Sequence, residues 1–267
     1  MTGIGAVFYR DYRQRITNIG FVFWDLFVPL AYLVLFGMGF ERMLGGSIAL
    51  EGQAFTYTAF LVPGVLGMVT FSVAMNTSWG FFMDKDSGIF YELLTYPITR
   101  TQLLIGKISF NVLLAVVGSG LAIILGAVAM DAPIRWDLVP LTTAIVITAT
   151  AGWFFLFSVF AIQLARMDAF NTVLSAAYIL LMFFSSMFYP LTNLPGWFRF
   201  LAHVNPMTWQ VDLLRFSLLG IAPSRMLMLE AIGLATFAII SLALPHARST
   251  APREGQAARW QGQRAKR

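Results

Sequence analysis

The sequence contains no cysteine and only two histidines among its 267 residues. A chain without cysteine has no disulfide framework, no thiolate metal site and no cysteine nucleophile. Two histidines leave few nitrogen ligands for a metal centre. We therefore predict no metal site in this chain. His203 is expected to be a polar cap, since a lone histidine without partners is a weak ligand candidate.

Short catalytic motifs are also missing. The phosphate-binding pattern G-x-x-x-x-G-K-[ST] does not occur, because the nearest fragment, Gly106-Lys107-Ile108-Ser109, lacks the upstream glycine and the adjoining Ser or Thr. Neither the G-x-S-x-G turn of serine hydrolases nor the zinc motif H-E-x-x-H is present. The sequence therefore predicts no catalytic residue and no ATP hydrolysis by this chain alone.

Charge is scarce. Only 12% of the residues are charged, against about 25% in soluble domains, while 58% are hydrophobic. The net charge of +5 could suggest nucleic acid, but six of the 18 Lys and Arg residues follow His246 in a basic tail over residues 246–267. A cytosolic or membrane-facing tail explains this charge better than a DNA groove. We predict a membrane protein that does not bind nucleic acid.

Six apolar runs have the length that a helix needs to cross the bilayer, about 20 residues. Backbone groups in lipid must be bonded within the segment, so each run is predicted to be helical, and the ten-residue alternation of a β-barrel is absent. The first run is too long for the core of a signal peptide. The predicted fold is an all-α integral membrane protein whose transmembrane domain covers residues 21–245. Its six spans are Phe21–Phe40, Phe55–Phe82, Leu103–Met130, Leu138–Leu164, Ala169–Tyr189 and Met226–Leu244.

The distribution of lysine and arginine predicts the orientation of these spans. With six spans, 13 of the 18 basic residues fall on the side of the two termini and five on the other. Basic residues accumulate on the cytosolic side of membrane proteins. Both termini and the polar segment Asp84–Arg100 are therefore predicted to be cytosolic.

The N-terminal 20 residues read as an amphipathic helix. Apolar residues recur every four positions, whereas basic and polar residues fall elsewhere on the wheel, which is typical of a helix lying in the cytosolic interface. A simple positively charged anchor for the first span is an equally good interpretation. The candidate residues are Ile4, Phe8, Arg10, Tyr12, Arg13 and Ile16.

The connection before the last span, residues 191–220, is too apolar for an ordinary loop. It contains two candidate short helices separated by Asn205-Pro206, where Asn can cap a helix and Pro fits its first position. Asp212 and Arg215 are three residues apart and can pair, and Gly220 is a plausible stop. We predict a shallow re-entrant hairpin in the outer leaflet; the alternative is a helix pair that only seals this face. The candidate gate residues are Pro190, Pro195, Trp197, Asn205, Pro206, Trp209 and Arg215.

Two acidic residues fall inside predicted spans, Asp25 and Glu230. Such residues are functional candidates by default. Asp25 lies near the cytosolic end of its span and Glu230 near the outer end, so they cannot form one proton relay at the midplane. For each, the favoured interpretation is an interfacial carboxylate that reaches water or a neighbouring arginine.

The polar segment Asp84–Arg100 includes a short helix with apolar side chains that the membrane does not explain. Exposed apolar residues on a short cytosolic element indicate a protein partner. These residues are Ile89, Phe90, Tyr91, Leu93 and Leu94.

At this segment the sequence resembles a known family, the ABC-2 type of ABC transporter permeases, and in particular its drug, nodulation-factor and polysaccharide exporters. The polar lead Asp84-Lys85-Asp86, then "GIFYELL" and "TYPITRTQLLIGK", is similar to that family's coupling helix and its return into the third span. "SSMFYPLTNLPGWFRFLAHVNPMTWQVDLLR", from Ser185 to Arg215, looks like the family's signature before the last span. "YTAFLVPGVLGM", from Tyr57 to Met68, also fits the exporter branch.

The resemblance implies a membrane subunit that works with two copies of a separate ABC ATP-binding subunit, which would hold the ATP and Mg²⁺. It further implies a homodimer or a paired permease, contact with membrane lipid, and outward transport of an amphipathic drug, lipid or lipid-linked glycan. The location would be the bacterial inner membrane. The residues implied in ATPase coupling are Asp86, Gly88, Phe90, Tyr91, Glu92, Leu93, Leu94 and Pro97. A secondary transporter or channel without an ATPase, or a membrane scaffold or enzyme subunit, are the alternatives from other classes.

Overall fold

The computed structural model describes residues 3–44, 48–50 and 53–249. A short antiparallel pair, β1 Ile48–Leu50 and β2 Gln53–Phe55, joins the second helix to the third. Of the predicted basic tail, residues 246–267, the part beyond Ser249 lies outside the described residues. Within the described ranges the chain forms ten α-helices: α1 Gly3–Thr17, α2 Ile19–Leu44, α3 Tyr57–Asp86, α4 Ile89–Leu93, α5 Arg100–Ala129, α6 Val139–Gln163, α7 Met167–Phe183, α8 Gly196–Val204, α9 Pro206–Leu219 and α10 Arg225–Ser249.

Five helical segments of this described part are long and apolar enough to cross a membrane, which makes the chain a helical integral membrane protein as predicted. They are Val22–Glu41, Tyr57–Asp86, Arg100–Ala129, Trp136–Gln163 and Arg225–Leu244.

The predicted fifth span, Ala169–Tyr189, is only partly helical. It corresponds to α7, which has 17 residues and ends at Phe183, while residues 184–190 form bends and a turn. The presence of a sixth crossing therefore stays a prediction.

The centre of the bundle is α3. It is apolar on all sides, and it packs against α2, α5, α6 and α9. A helix of this kind belongs inside a bundle. Glycines permit the close approach, since a Cβ at Gly64 would lie 2.7 Å from the Met187 carbonyl oxygen, and one at Gly126 would lie 2.6 Å from Val62 Cγ2.

The N-terminal helix α1 packs on the first turns of α5. A Cβ at Gly106 would lie 2.8 Å from Val7 Cβ, so only glycine allows this approach. The ring of Phe8 meets Phe110 edge-on at 5.7 Å between centroids. α1 is therefore a component of the bundle at the end where α5 begins.

The buried face of α1 differs from the predicted apolar face. Val7 and Asp11 are buried, whereas Tyr12 and Ile16 are exposed. The difference arises because Gly106 admits Val7 and because Asp11 finds a cation on α5. Whether α1 also lies in the membrane interface stays a prediction.

Two short helices, α8 and α9, flank Asn205-Pro206 at the predicted position. The Asn205 Oδ1 atom accepts a hydrogen bond from the Met207 amide at 2.9 Å, and α9 ends at Gly220, whose φ of 70° suits a residue without a Cβ.

α9 is largely buried inside the bundle, and whether it forms the predicted re-entrant hairpin in the outer leaflet stays a prediction. It packs against α3, α6 and α10, and most of its residues are buried. Its polar side chains are bonded there: Trp153 Nε1 donates to Gln210 Oε1 at 2.9 Å, and Gln210 donates to Thr70 Oγ1. α8 does have an exposed apolar face, which consists of Trp197, Phe200, Leu201 and Val204.

Candidate functional site

The polar segment forms a tight helical connection between α3 and α5. Ser87 caps α3, and Gly88 follows with a φ of 85°, a conformation that favours glycine. The one-and-a-half turns of α4 come next. A capping box begins α5, because Thr99 Oγ1 accepts from the Gln102 amide at 3.2 Å and Gln102 Oε1 accepts from the Thr99 amide at 3.0 Å.

One side of this connection is exposed and aromatic. Ile89 is 39% exposed, Tyr91 46% and Tyr96 58%. Together with the exposed Glu92 and Pro97 they form what we call the α4 surface.

The other side of α4 holds it to the bundle. The Phe90 ring packs edge-on against Phe81 at 5.5 Å, and Leu93 contacts the core. The predicted coupling residues therefore divide by environment. Asp86, Tyr91, Glu92 and Pro97 are exposed, Phe90, Leu93 and Leu94 are half-buried, and Gly88 is buried.

Below the α4 surface lies a buried ionic cluster, which we call the base network: Arg10, Asp11, Asp84 and Lys107. Lys107 Nζ lies 2.6 Å from Asp84 Oδ2 and 3.5 Å from Asp11 Oδ2. Arg10 donates to the other oxygen of Asp84. Arg10 is half-buried, and the other three side chains are buried. The network thus joins α1, α3 and α5 by opposite charges of equal number.

Burial raises the pKa of the Asp11 carboxyl above its ordinary value, and the cations Lys107 and Arg10 oppose part of this effect. The Oδ1 atom of Asp11 has no hydrogen-bond partner among the described residues. Asp11 is therefore the least well compensated member of the base network.

Asp25 of α2 belongs to the same end of the molecule. Its Oδ2 lies 2.9 Å from Arg15 Nη1, and its Oδ1 accepts from Asn76 Nδ2. Arg15 also reaches Asn111 Oδ1 at 3.4 Å. A small cavity is lined by Arg15, Asn76 and Asn111 of this group and also by Lys107. Arg15 is thus the neighbouring arginine that the interpretation of Asp25 as an interfacial carboxylate requires.

The predicted interfacial residues of α1 have different environments. Arg10 enters the base network, Phe8 is half-buried against α5, and Tyr12 and Arg13 are exposed.

At the opposite end of α3, Arg215 is buried in a second polar group. It pairs with Asp212 at 2.6 Å, donates to Ser186 Oγ at 3.0 Å, and stacks 4.0 Å from the Phe60 ring centroid. Asp212, three residues before Arg215, is therefore its partner, as predicted. Glu230 is also buried and close enough to interact with Arg215 electrostatically.

The remaining gate candidates lie around this second group. Trp197 and Pro195 are exposed, Pro190, Pro206 and Trp209 are half-buried, and Asn205 is buried. The Trp209 indole donates to the His203 carbonyl oxygen, 2.6 Å away. Asp25 and Glu230 thus lie in separate groups near opposite ends of α3.

Sequence reasoning missed three residues of the base network and of the group around Asp25: Asp11, Arg15 and Lys107. Each lies far along the chain from most of its partners, so helical spacing does not connect them. One signal was available: a lysine directly after Gly106, in an otherwise apolar run, requires a buried anion nearby.

Comparisons with known proteins agree with this architecture. The family model described as ABC-2 type transporter matches residues 2–219. The transport permease ycf38 of Cyanophora paradoxa is 27% identical over 224 residues, which cover 80% of this chain and 71% of the relative. The ycf38 permease of Porphyra purpurea is 24% identical over 189 residues, 70% of this chain and 64% of the relative. The inner membrane transport permease YadH of Escherichia coli is 28% identical over 200 residues, 72% of this chain and 75% of the relative.

Proposed function

The chain belongs to the ABC-2 type transporter family, and we propose that it is the membrane subunit of an exporter driven by a separate ATP-binding subunit. The α4 surface carries this proposal. An exposed patch with three large apolar or aromatic side chains on a short polar connection is typical of a protein-binding site. The absence of a phosphate-binding motif from the sequence fits an ATPase on another chain.

The proposed orientation puts the α4 surface in the cytosol. Two observations support it. Basic residues predominate on that side in the sequence. In addition, α1 and the base network lie at the same end of α3 as α4, so the N-terminal helix and the α4 surface would share one side of the membrane. The compartment would be the bacterial inner membrane, with both termini in the cytosol.

Force would pass from the ATPase through α4 into the bundle. Two ATP-binding subunits that close on ATP and Mg²⁺ would displace the α4 surfaces bound to them. Gly88, bonded to the Lys85 carbonyl oxygen at 3.2 Å, would transmit this movement to α3, and the capping box would transmit it to α5. Because α3 is the central helix, its displacement would change the packing of α2, α6 and α9.

Two chains would form the complete membrane part, either as a homodimer or with a similar permease. The substrate would be an amphipathic drug, a lipid or a lipid-linked glycan, moved outward along α2, α3 and α7. Large apolar side chains are exposed on α2 and α7, including Phe23, Trp24, Phe27, Ile179, Leu180 and Phe183. A groove between α3 and α7 adds amide and hydroxyl groups through Asn76, Asn171 and Ser175.

A secondary transporter is less well supported by the described residues. Such proteins bind substrate and coupling ions near the middle of the membrane. Asp25 is paired with Arg15 at one end of α3, and Glu230 lies near Arg215 at the other. Asp25 and Glu230 therefore do not form one shared carboxylate site at the centre.

Co-purification tests the proposal. The tagged chain, extracted from native membranes, should bring down an ATP-binding subunit and Mg²⁺-dependent ATPase activity. The double substitution Ile89→Asp/Tyr91→Ala should abolish both, while Phe200→Ala, a change at an exposed aromatic residue of α8 at the other end, should retain them. Equal ATPase recovery with all three chains would reject the α4 surface as the docking site.

A further inference from the structure

Lys85 makes three bonds that the function proposed above does not use. Its Nζ atom lies 2.6 Å from the carbonyl oxygen of Ala161, 3.1 Å from that of Ile162 and 2.7 Å from that of Leu164. An ammonium group has three protons to donate. The residue next to the α4 connection therefore directs all three donors at the last turn of α6.

The end of α6 needs such a donor. The last four carbonyl groups of a helix have no partner within it, and they carry the negative end of the helix dipole. A left-handed glycine often satisfies them, but α6 ends at Leu164 in an extended conformation, with φ −79° and ψ 136°. Lys85 supplies the cap from another helix, through charge-assisted bonds that are stronger than neutral ones.

Asp84 and Lys85 connect the end of α3 to two different sides of the molecule. Asp84 binds Arg10 of α1 and Lys107 of α5, whereas Lys85 binds α6. The carbonyl groups that Lys85 holds lie at most six residues before Met167, where α7 begins. α6 and α7 are therefore joined to the end of α3 through one side chain near their connection.

We propose that Lys85 is a positioning residue that carries the displacement of the α4 surface to the α6–α7 connection. The inference rests on the proposed ATP-driven function, because the ATPase supplies the displacement. Without Lys85, α3 would still move with α4, but the end of α6 would no longer follow it through these bonds. α7 would then receive less of the movement that the proposed path along α2, α3 and α7 requires.

Two substitutions separate this role from general stability. Lys85→Met keeps most of the unbranched apolar stem and removes all three donors, whereas Lys85→Arg keeps the charge and several donors. Arg166→Gln is the matched control in the same connection. Arg166 pairs with Asp168 at 3.5 Å, but both side chains are more than 80% exposed, so the pair contributes little.

The experiment measures amide hydrogen exchange of the complex with its ATP-binding subunit in lipid nanodiscs, with and without ATP and Mg²⁺. In the wild type, nucleotide should change exchange in both residues 84–96 and residues 161–168. Lys85→Met should keep the change at 84–96 and lose the change at 161–168. Lys85→Arg should restore it, and Arg166→Gln should behave as the wild type does.

Two outcomes would overturn the inference. If Lys85→Met retained the nucleotide-dependent change at 161–168, Lys85 would only cap α6. This conclusion would hold even if the substitution raised exchange at 161–168 in the absence of nucleotide. If nucleotide changed neither segment in the wild type, the proposed ATP-driven function would fail first, and this inference with it.

Discussion

At the scale of single residues, the base network consists of paired charges that are mostly buried. Asp84 compensates two cations, Arg10 and Lys107, and its carboxylate is buried with that of Asp11. Removal of one partner from a buried ion pair leaves the other without compensation, which costs more than the pair itself contributes. Asp84 is therefore the residue on which the joint between α1, α3 and α5 depends most.

Asp84→Asn should lower the free energy of unfolding by about 3 kcal/mol, the lower end of the range for broken buried pairs. The lower end is expected because Lys107 retains Asp11 at 3.5 Å. Denaturant unfolding in detergent micelles measures the effect. Asp86→Asn, two residues away and exposed, is the control and should have little effect. Equal effects of the two substitutions would contradict the base network.

Asp11 predicts a pH dependence of stability. Burial raises its pKa in the folded state above the ordinary value of 3.8. Between 3.8 and the raised pKa the folded state binds more protons than the unfolded state, so stability falls as the pH rises through this window. The side-chain amide of Asp11→Asn does not bind the proton that the Asp11 carboxyl binds in this window. The wild type should therefore lose stability relative to Asp11→Asn as the pH rises from 3.8 through the raised pKa. A difference that is constant with pH would contradict the burial of this carboxylate.

The sequence predicted the pair of Asp212 and Arg215 because its members are three residues apart on one helix. It did not predict the base network, whose members lie on three helices. Their approach depends on tertiary packing, in particular on the contact of Val7 with Gly106. Local spacing contains no information about such a contact, although an isolated lysine in an apolar run does indicate a buried partner.

At the scale of elements, the non-helical segment 184–190 decides how α7 meets α9. Backbone groups at membrane depth must find partners inside the protein. Asn205 Nδ2 donates to the carbonyl oxygens of Leu181 and Phe184 at 2.7 Å each, and Arg215 donates to the Ser186 carbonyl oxygen. α9 thus supplies the bonds that α7 loses where it ends.

Gly64→Ala should destabilise the protein by about 1–3 kcal/mol, the usual cost of overpacking. The new Cβ would lie 2.7 Å from the Met187 carbonyl oxygen, and main-chain atoms cannot move away as a side chain can. Gly80→Ala on the same helix is the control. No atom of the described residues lies within 4 Å of a Cβ there, so the better helix propensity of alanine should stabilise by up to about 1 kcal/mol. Thermal unfolding measures both changes, and a stable Gly64→Ala protein would argue against this packing.

Most elements were predictable because long apolar runs have few alternatives in a membrane. Asn205, Pro206 and Gly220 marked the limits of α9 by their capping chemistry. The contacts that Gln210 and Arg215 of α9 make inside the bundle were not predictable from local spacing. Their partners are Trp153 of α6 and Ser186 of the non-helical segment 184–190. The early end of α7 was also missed, since residues 184–190 continue its apolar run.

At the scale of the whole molecule, α3 and α5 are longer than a membrane requires. Each has 30 residues, or about 45 Å, against about 30 Å of hydrocarbon. With the base network outside the hydrocarbon, both helices would project from one face, and α4 would lie at the tip of the projection. This geometry would present the α4 surface to a cytosolic subunit and keep the buried charges away from lipid.

The most direct test of this account is chemical labelling at the α4 surface. The chain has no cysteine, so Thr95→Cys, beside Tyr96 and exposed, and Trp136→Cys, exposed before α6, provide single sites. A membrane-impermeant maleimide should label Thr95→Cys only from the cytosolic side, and bound ATP-binding subunit should block it. Trp136→Cys should react only from the outer side and remain unaffected by that subunit. Labelling of Thr95→Cys from outside, or undiminished labelling with the ATP-binding subunit bound, would contradict the proposed docking of the motor on α4.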